Sequence, residues 1–398
     1  MCAKALDGVL VIDLTHAYNG PFCTMQLADH GAEVIKIEPL DTGDQTRGWA
    51  PFKQGVSDSS YYAFLNRNKK GMTLNMKSEE GKKIFIELVK KADVVVENFR
   101  PGSMERLGLS YEELKKINPR IIYASSSGFG QYGPYRDRPA YDVIAQAMGG
   151  IMNVTGEVGG PPVKVGPGLG DNFTGTFLAS GIAMALYHRE KTGVGNRIDV
   201  AMVDVIFSAL ETVLPFYDTY AEISTRAGNI DPATSPYDMY PCKDGYLVTG
   251  VASPKLWVEF CRAIGRPDLE KDSRFADNDL RVKNRGQLTA EIHKWTTQNT
   301  VAEAEATLLE KGVPCGPIFN IEQCVNNAHF KEREMVVEVD HPTIGKMRIQ
   351  GVTVKFTETP GSVDAPAPLL GQHTDTILKG MLNFSDEKIH QLRVKRII

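Results

Sequence analysis

Along this chain, apolar and polar positions alternate with two different periods. "GVLVIDLT" (8–15) is a nearly continuous apolar run, the pattern of a strand covered on both faces. "GPFCTMQLADHG" (20–31) has helical spacing, with Pro21 in its first turn and Gly31 as its stop, and "AEVIKIE" (32–38) returns to strand. This β-α-β opening implies a parallel sheet with a right-handed crossover. The alternation continues with a helix predicted over 78–92 from a Ser78 cap, a strand over 93–99, a helix over 110–119 and a strand over 120–130 that runs into a Ser/Gly loop. A long helix over 172–190 and a strand over 196–204 follow. The fold class is α/β, a doubly wound parallel sheet. The texture changes near residue 225. "YDMYPCKDGYLVTGVA" (237–252) reads as a hairpin turning at Asp244-Gly245, helical segments cover 254–264 and 280–312, and "GVPCGPI" closes the unit. "VVEVDHPTIGKMRIQG" is a further hairpin, and "APAPLLGQHTDTILKGML" ends in a capped helix. The expected organisation is a large domain begun by 1–225, a small α+β domain at 226–325, and a C-terminal return at 326–398 that completes the large domain from the other chain end.

With 398 residues the chain is long enough for two or three domains, and 42% hydrophobic with 24% charged residues is ordinary for a globular protein. The net charge of −4 points to neither a nucleic-acid nor a membrane-surface partner. The six cysteines (Cys2, Cys23, Cys242, Cys261, Cys315, Cys324) contain no C-x-x-C pair, which argues against a zinc site or a disulfide framework and for a reducing compartment. Asp13 interrupts the first apolar run too early for a signal peptide or a membrane span, so a cytoplasmic protein is expected. The eight histidines form no metal-binding grouping, and no G-x-S-x-G elbow is present. The opening mimics a dinucleotide site, with Glu38 ending the second strand. Its turn "THAYNGPF", however, supplies only Gly20, and side chains at Ala17, Tyr18 or Asn19 would crowd a pyrophosphate.

One acid stands in a glycine-rich approach to an apolar helix, Asp171 in "VGPGLGDNFTG" (165–175). As an N-cap it would satisfy orphan amides of helix 172–190. As a functional group it would be held ionised by the helix dipole and the free amides, with flanking glycines leaving room for a substrate, and an accessible carboxylate is a nucleophile towards activated acyl groups. The residues alone leave both readings open.

Eight collinear blocks, among them "LDGVLVIDLTHAYNGPF", "FLNRNKKGMTLNMKSEEGK", "ADVVVENFRPGSMERLGL", "PRIIYASSSGFGQYGP", "PAYDVIAQAMGGIMNVTG", "GLGDNFTG" and "APLLGQHTDTILK", resemble the class III CoA-transferases over essentially the whole chain. In that family the nucleophile is an Asp in a G-x-x-D-x-x-x-G context, which corresponds to Asp171. The resemblance implies acyl-CoA:carboxylate CoA transfer through aspartyl anhydride and aspartyl-CoA intermediates. It also implies a coenzyme A thioester as substrate with no permanent cofactor, and an interlocked homodimer. Transferred by position, the CoA contacts fall on His16, Ala17, Leu74, Asn75, Met76, Lys77, Asn98, Phe99, Arg100 and Arg106. The guanidinium of Arg106 can grip a phosphate with two donors or cap a helix end. Arg67, Lys69, Lys70 and Lys77 in "NRNKKGMTLNMK" otherwise read as a solvated basic stretch. The loop 126–133 is either an oxyanion donor or a strand-end turn, and Tyr18, Gly128, Phe129, Gly130, Gln131 and Tyr141 are the substrate and oxyanion candidates.

The chain departs from the formyl-CoA branch of the family. Tyr18 stands for an expected glutamine, Pro39 for an expected cation, and Phe129-Gly130-Gln131 for an expected Tyr-Glu pair, and the glycine-rich flap is missing around 228–240. The blocks sit closer to the acetyl- or succinyl-CoA:dicarboxylate branch. An α-methylacyl-CoA racemase-like enzyme on the same fold is the alternative. Its chemistry pairs a His base with an acid, and no His lies near 120–135 or beside Asp171 in the sequence.

Overall fold

The computed structural model describes residues 3–398; Cys2 lies outside the described residues, and the other five cysteines are free thiols. The chain divides into two compact units, one of residues up to Ile151 with Lys164–Leu214 and Ala328–Ile398, the other of Met152–Val163 with Pro215–Asn327. No helix among the described residues is long and apolar enough to cross a membrane.

The first unit is built on six parallel strands: β1 (Leu10–Asp13), β2 (Glu33–Glu38), β3 (Lys70–Thr73), β4 (Val94–Glu97), β5 (Ile122–Ser127) and β6 (Asn196–Ala201). Their spatial order is β3-β2-β1-β4-β5-β6, so the direction of winding reverses between β1 and β4. The two-residue period of each strand sends Ile12, Ile35, Ile37, Met72, Val95 and Tyr123 to one face, where helices Glu79–Val89, Thr374–Leu382 and Asp386–Val394 cover them. Val11, Val34, Val94, Val96, Ile122 and Ala124 face the other side, against helices Asn19–Asp29 and Leu169–Thr192. Burial on both faces is why β1 and β4 read as nearly continuous apolar runs.

Helices predicted over 78–92 and 110–119 form Glu79–Val89 and Tyr111–Ile117, with Ser78 and Ser110 accepting from the amides of Gly81 and Glu113. The strand predicted over 196–204 stops at Ala201, and the chain turns at once into helix Met202–Ser208. Strand β3 carries one large apolar residue, Met72, and escapes the pattern. It forms because β2 pairs with it on one side (Ile35 opposite Lys70) and the C-terminal segment closes its other edge. There His373 N donates to Gly71 O at 2.8 Å and Thr73 N to Thr374 Oγ1 at 3.1 Å. The C-terminal helix predicted as capped has no side-chain cap at its start and ends at a left-handed Asn383. A last helix, Asp386–Val394, follows with Ser385 as its cap. The hairpin predicted after residue 335 is β10 (Val336–His341) with β11 (Gly345–Gln350), numbered in chain order after the three strands of the second unit.

In the second unit, β7 (Tyr237–Pro241) and β8 (Tyr246–Gly250) form the predicted hairpin, and β9 (Cys315–Pro317), unread in the sequence, adds a third strand. The helical stretch expected over 280–312 is three helices, Asn278–Lys283, Arg285–Thr296 and Val301–Glu310. The last break is fixed by a capping box between Thr300 and Glu303. Leu247, Trp257, Phe260, Phe275, Leu288, Ile292 and Leu308 make the core of this unit.

Candidate active site

The site begins where β1 ends. Asp13 is fully buried there and accepts from Thr15 N (2.8 Å), Thr15 Oγ1 (2.5 Å), Thr24 Oγ1 (2.7 Å) and Lys69 Nζ (3.0 Å). Burial alone would raise its pKa, but Lys69, Lys36 and the two hydroxyls outweigh it and hold the carboxyl down at about 2. Lys36, equally buried, donates to Thr15 O at 2.7 Å and to Asp44 Oδ2 at 2.9 Å, and Asp44 Oδ1 accepts from Ala17 N at 3.3 Å. From the β4 side, Asn98 Oδ1 accepts from His16 N at 2.9 Å while its Nδ2 donates to His16 O at 2.7 Å. The turn is thereby clamped from both sides, with Ala17 in the left-handed region at φ 64°. It lies at the winding reversal, outside the carboxyl ends of β1 and β4, where open parallel sheets bind ligands. Two of the cations read as solvated are buried and paired instead. Lys69 binds Asp13, and buried Arg67 makes a two-point pair with Asp29 at 3.0 and 2.7 Å.

Asp171 is not the N-cap of its helix. The helix starts at Leu169 with Gly168 as N-cap, and Asp171 lies within its first turn. The free amides at the helix start go to a different acid, Asp142, whose Oδ1 accepts from Gly170 N at 2.7 Å and Asp171 N at 3.4 Å. The Asp171 carboxylate accepts from Asn19 Nδ2 at 3.0 Å, and Asn19 Oδ1 in turn accepts from Ser126 Oγ (2.9 Å) and Asn98 Nδ2 (3.1 Å). Gly175 permits this approach. A Cβ there would stand 2.6 Å from Asn19 O, so only glycine lets the two helices close. The electrostatic outcome is opposite to a carboxylate held ionised by the dipole. Burial raises the Asp171 pKa to about 6, the Asn19 hydrogen bond opposes that rise, and the neighbouring Asp142 adds to it. Tyr18 OH donates to Asn172 Oδ1 at 3.0 Å, and burial together with the Asp171 charge pushes its own pKa up to about 12.

Two adjoining cavities open at this point, and His16, Phe99 and Ser103 line both. The first, of about 460 Å³, is lined by Leu74, Asn75, Met76 and Lys77 and, at its rim, by Arg396, which pairs with Asp41. The second, of about 680 Å³, brings Asp171 together with Ala17, Tyr18, Asn98, Arg100, Gly128 and Tyr141. Phe129, Gly130 and Gln131 do not line either. Gly130 N is engaged by Ser127 Oγ and Gln131 N by Asp199 Oδ2, while buried Phe129 packs edge-on against Tyr135. Arg106 is exposed and donates to Ser103 Oγ at 2.9 Å, without lining a cavity itself. Among the described residues no three His, Cys, Asp or Glu side chains cluster as a metal site.

Several residues of the second cavity went unread. Asn19 was visible only as bulk in a turn, although its place just after β1 could have marked it. Asp142 and the cations Arg136, Arg138 and Lys164 carry no periodic signal. His16 also corrects a sequence-based argument. No histidine neighbours Asp171 along the chain, yet His16 shares its cavity. Burial and the nearby Lys36 cation lower its pKa, against the opposing charges of Asp44 and Asp13, which favours the uncharged ring.

Known proteins resemble this chain over nearly its whole length. A succinyl-CoA–D-citramalate CoA-transferase of Chloroflexus aurantiacus is 36% identical, the match covering 99% of this chain and 98% of that one. A succinyl-CoA:mesaconate CoA-transferase of Haloarcula marismortui is 41% identical over 94% of this chain and 96% of its own. The crystal structure of a CaiB/BaiF family protein from Brucella suis superposes with a TM-score of 0.83 at 35% identity, covering 95% of this chain and 100% of that one. The family model of CoA-transferase family III matches residues 6–374, and the chain belongs to that family.

Proposed function

We propose that the protein transfers CoA from a small acyl-CoA, succinyl-CoA in the first instance, to a dicarboxylic acid of the citramalate or mesaconate kind, with Asp171 as nucleophile. The observation that carries this is a part-buried carboxylate, held by one side-chain amide, on the wall of a cavity that adjoins a second one bordered by Leu74–Lys77. Asp171 attacks the thioester carbonyl, forming a mixed anhydride and releasing CoA thiolate. The thiolate attacks the aspartyl carbonyl, the first acid leaves, and aspartyl-CoA remains. The acceptor carboxylate then attacks aspartyl-CoA and expels the thiolate. That thiolate returns to the acyl carbonyl of the new anhydride, giving the new acyl-CoA and free Asp171. Raising the carboxyl to about 6 suits both halves of the cycle, since a more basic carboxylate is the better nucleophile and still ionises at neutral pH.

In this reading His16, Leu74, Asn75, Met76, Lys77 and Phe99 receive the nucleotide end of CoA. Ala17, Asn98 and Arg100 line the thioester path, with Arg106 reaching a phosphate from outside. The enzyme is cytoplasmic and works as an interlocked homodimer. Phe173, Phe177, Met184 and Tyr187, all exposed along helix Leu169–Thr192, favour a second copy of the chain against that helix.

A donor-by-acceptor matrix tests the activity: acetyl-, succinyl- and formyl-CoA, each with mono- and dicarboxylic acids, read by mass spectrometry of the acyl-CoA products. Appearance of a new acyl-CoA is expected for succinyl-CoA with a diacid. Exchange of an α-deuterium in a branched acyl-CoA, with no acyl transfer, would overturn the reading. A pH series adds a second check. The reactive form is the carboxylate, so kcat/KM should fall about tenfold per unit below pH 6. The CoA 3′-phosphate itself titrates near 6, so the diagnostic is a shift. In Asn19→Ala the hydrogen bond favouring the carboxylate is gone, and the acid limb should move to higher pH. A limb that stays in place would show that Asp171 does not set it.

A further inference from the structure

The second cavity has an unbalanced charge. Arg100, Arg136, Arg138 and Lys164 line it against two acids, Asp142 and Asp171. Asp142 is already committed to Gly170 N and to Gln146 Nε2, the latter at 2.7 Å, and Asp171 loses its charge whenever it carries an acyl or CoA group. The cations themselves are poorly partnered. The Arg136 Nε is buried without a hydrogen-bond partner, its nearest carboxylate being Asp137 at 3.6 Å. The Arg138 guanidinium lies 3.9 Å over the Tyr135 ring, and Lys164 Nζ donates to the backbone carbonyls of Val165 and Gly166. The loop that presents the two arginines is held from beneath, since Tyr135 packs on buried Phe129 and the amides of Gly130 and Gln131 are tied down.

We propose that Arg136 and Arg138, with Lys164, form an anion site for the carboxylate of the transferred acid that lies remote from Asp171, and so select dicarboxylic over monocarboxylic substrates. This rests on the CoA-transfer reading above. One carboxylate of the acid must be free to attack aspartyl-CoA, and a second carboxylate at its far end would answer the remaining cations. A guanidinium fork on a supported loop gives that second group a directed, two-donor contact.

The test needs no variant at first. With succinyl-CoA as donor, the wild type is offered glutarate and its monomethyl ester, which keeps the chain length and removes the remote charge. The expected kcat/KM ratio is roughly 10- to 100-fold in favour of the diacid, carried mainly by KM. In Arg136→Gln and in Arg138→Gln the ratio should fall by at least about tenfold, and Lys should restore part of it at either position. Equal use of diacid and half-ester by the wild type would overturn this inference alone. So would an unchanged KM for the diacid in the variants with only the acyl-CoA KM raised, because the cations would then not hold the remote carboxylate of the acceptor. Absence of transfer to every acid would remove the CoA-transfer reading and this inference with it.

Discussion

Asp171→Ala is expected to lower kcat for CoA transfer by about 10⁴-fold or more, as loss of a covalent nucleophile does elsewhere. No neighbouring group can substitute. Asp142, the other carboxylate in the cavity, is engaged by Gly170 N and Gln146 Nε2 and faces the start of the helix. Binding should survive, with CoA dissociation within a few-fold of the parent, because the residues bordering the first cavity are untouched. The mass of wild-type protein mixed with succinyl-CoA should show a CoA adduct that the variant lacks. Transfer by the variant within tenfold of the wild type would sink the assignment. Asp171→Asn carries a second expectation about stability. The folded carboxyl has a pKa near 6, above the ordinary 3.8, so the folded chain holds its proton longer than the unfolded one. The contribution of that group to stability is fully present below pH 3.8 and lost as pH rises through 6. A neutral amide loses nothing over that window, so Tm of the variant relative to wild type should rise between pH 4 and 7. Catalysis and stability then pull this residue in opposite directions, which is common where a reactive group is kept partly dry.

The parts of the fold written in local periodicity were legible. The runs 8–15, 32–38, 93–99 and 120–130 contain strands whose apolar side chains are covered on both faces of the sheet. What local pattern cannot carry is partnership over distance. Strand β3 exists through β2 and the segment around His373, three hundred residues on, and its own four residues hold one large apolar side chain. Arg67 and Lys69 looked like members of a solvated run because their acids, Asp29 and Asp13, lie far back in the chain. The site divides along the same line. Asp171 was found through its motif, but the residues left its capping role open, because the acid that takes the free amides, Asp142, reaches the helix start from another element. Asn19, which touches the carboxylate, was counted as an obstacle to a nucleotide that this turn does not bind in the dinucleotide manner.

The buried pair beneath the site should be the most costly place to make a single change outside it. Asp13→Ala is expected to destabilise the fold by about 3–5 kcal/mol, the usual result of removing one partner of a buried ion pair. The substitution takes away the carboxylate facing Lys69 and orphans Thr15 N and the Thr15 and Thr24 hydroxyls. Lys69, already drawn down to about 8 by burial and supported only in part by Asp13, would then have Pro21 O and Asn66 Oδ1 as its remaining contacts. Its proton would be lost nearer neutrality, so the deficit should shrink as pH rises. In the wild type the sign for Asp13 runs the other way. A carboxyl held near 2 contributes above pH 3.8 and loses that contribution as pH falls through 2. Asp13→Ala with Lys69→Met should recover much of the loss, because the uncompensated charge goes too. Urea unfolding of the two variants and the parent decides it, and a single variant within about 1 kcal/mol of the parent would show that the pair is not what holds the turn. Activity supplies the second readout. The double variant regains a neutral core without regaining the Asp13 anchor of Thr15, so the segment leading into His16 and Ala17 lacks one of its supports and the acyl-CoA KM should remain raised even where stability returns.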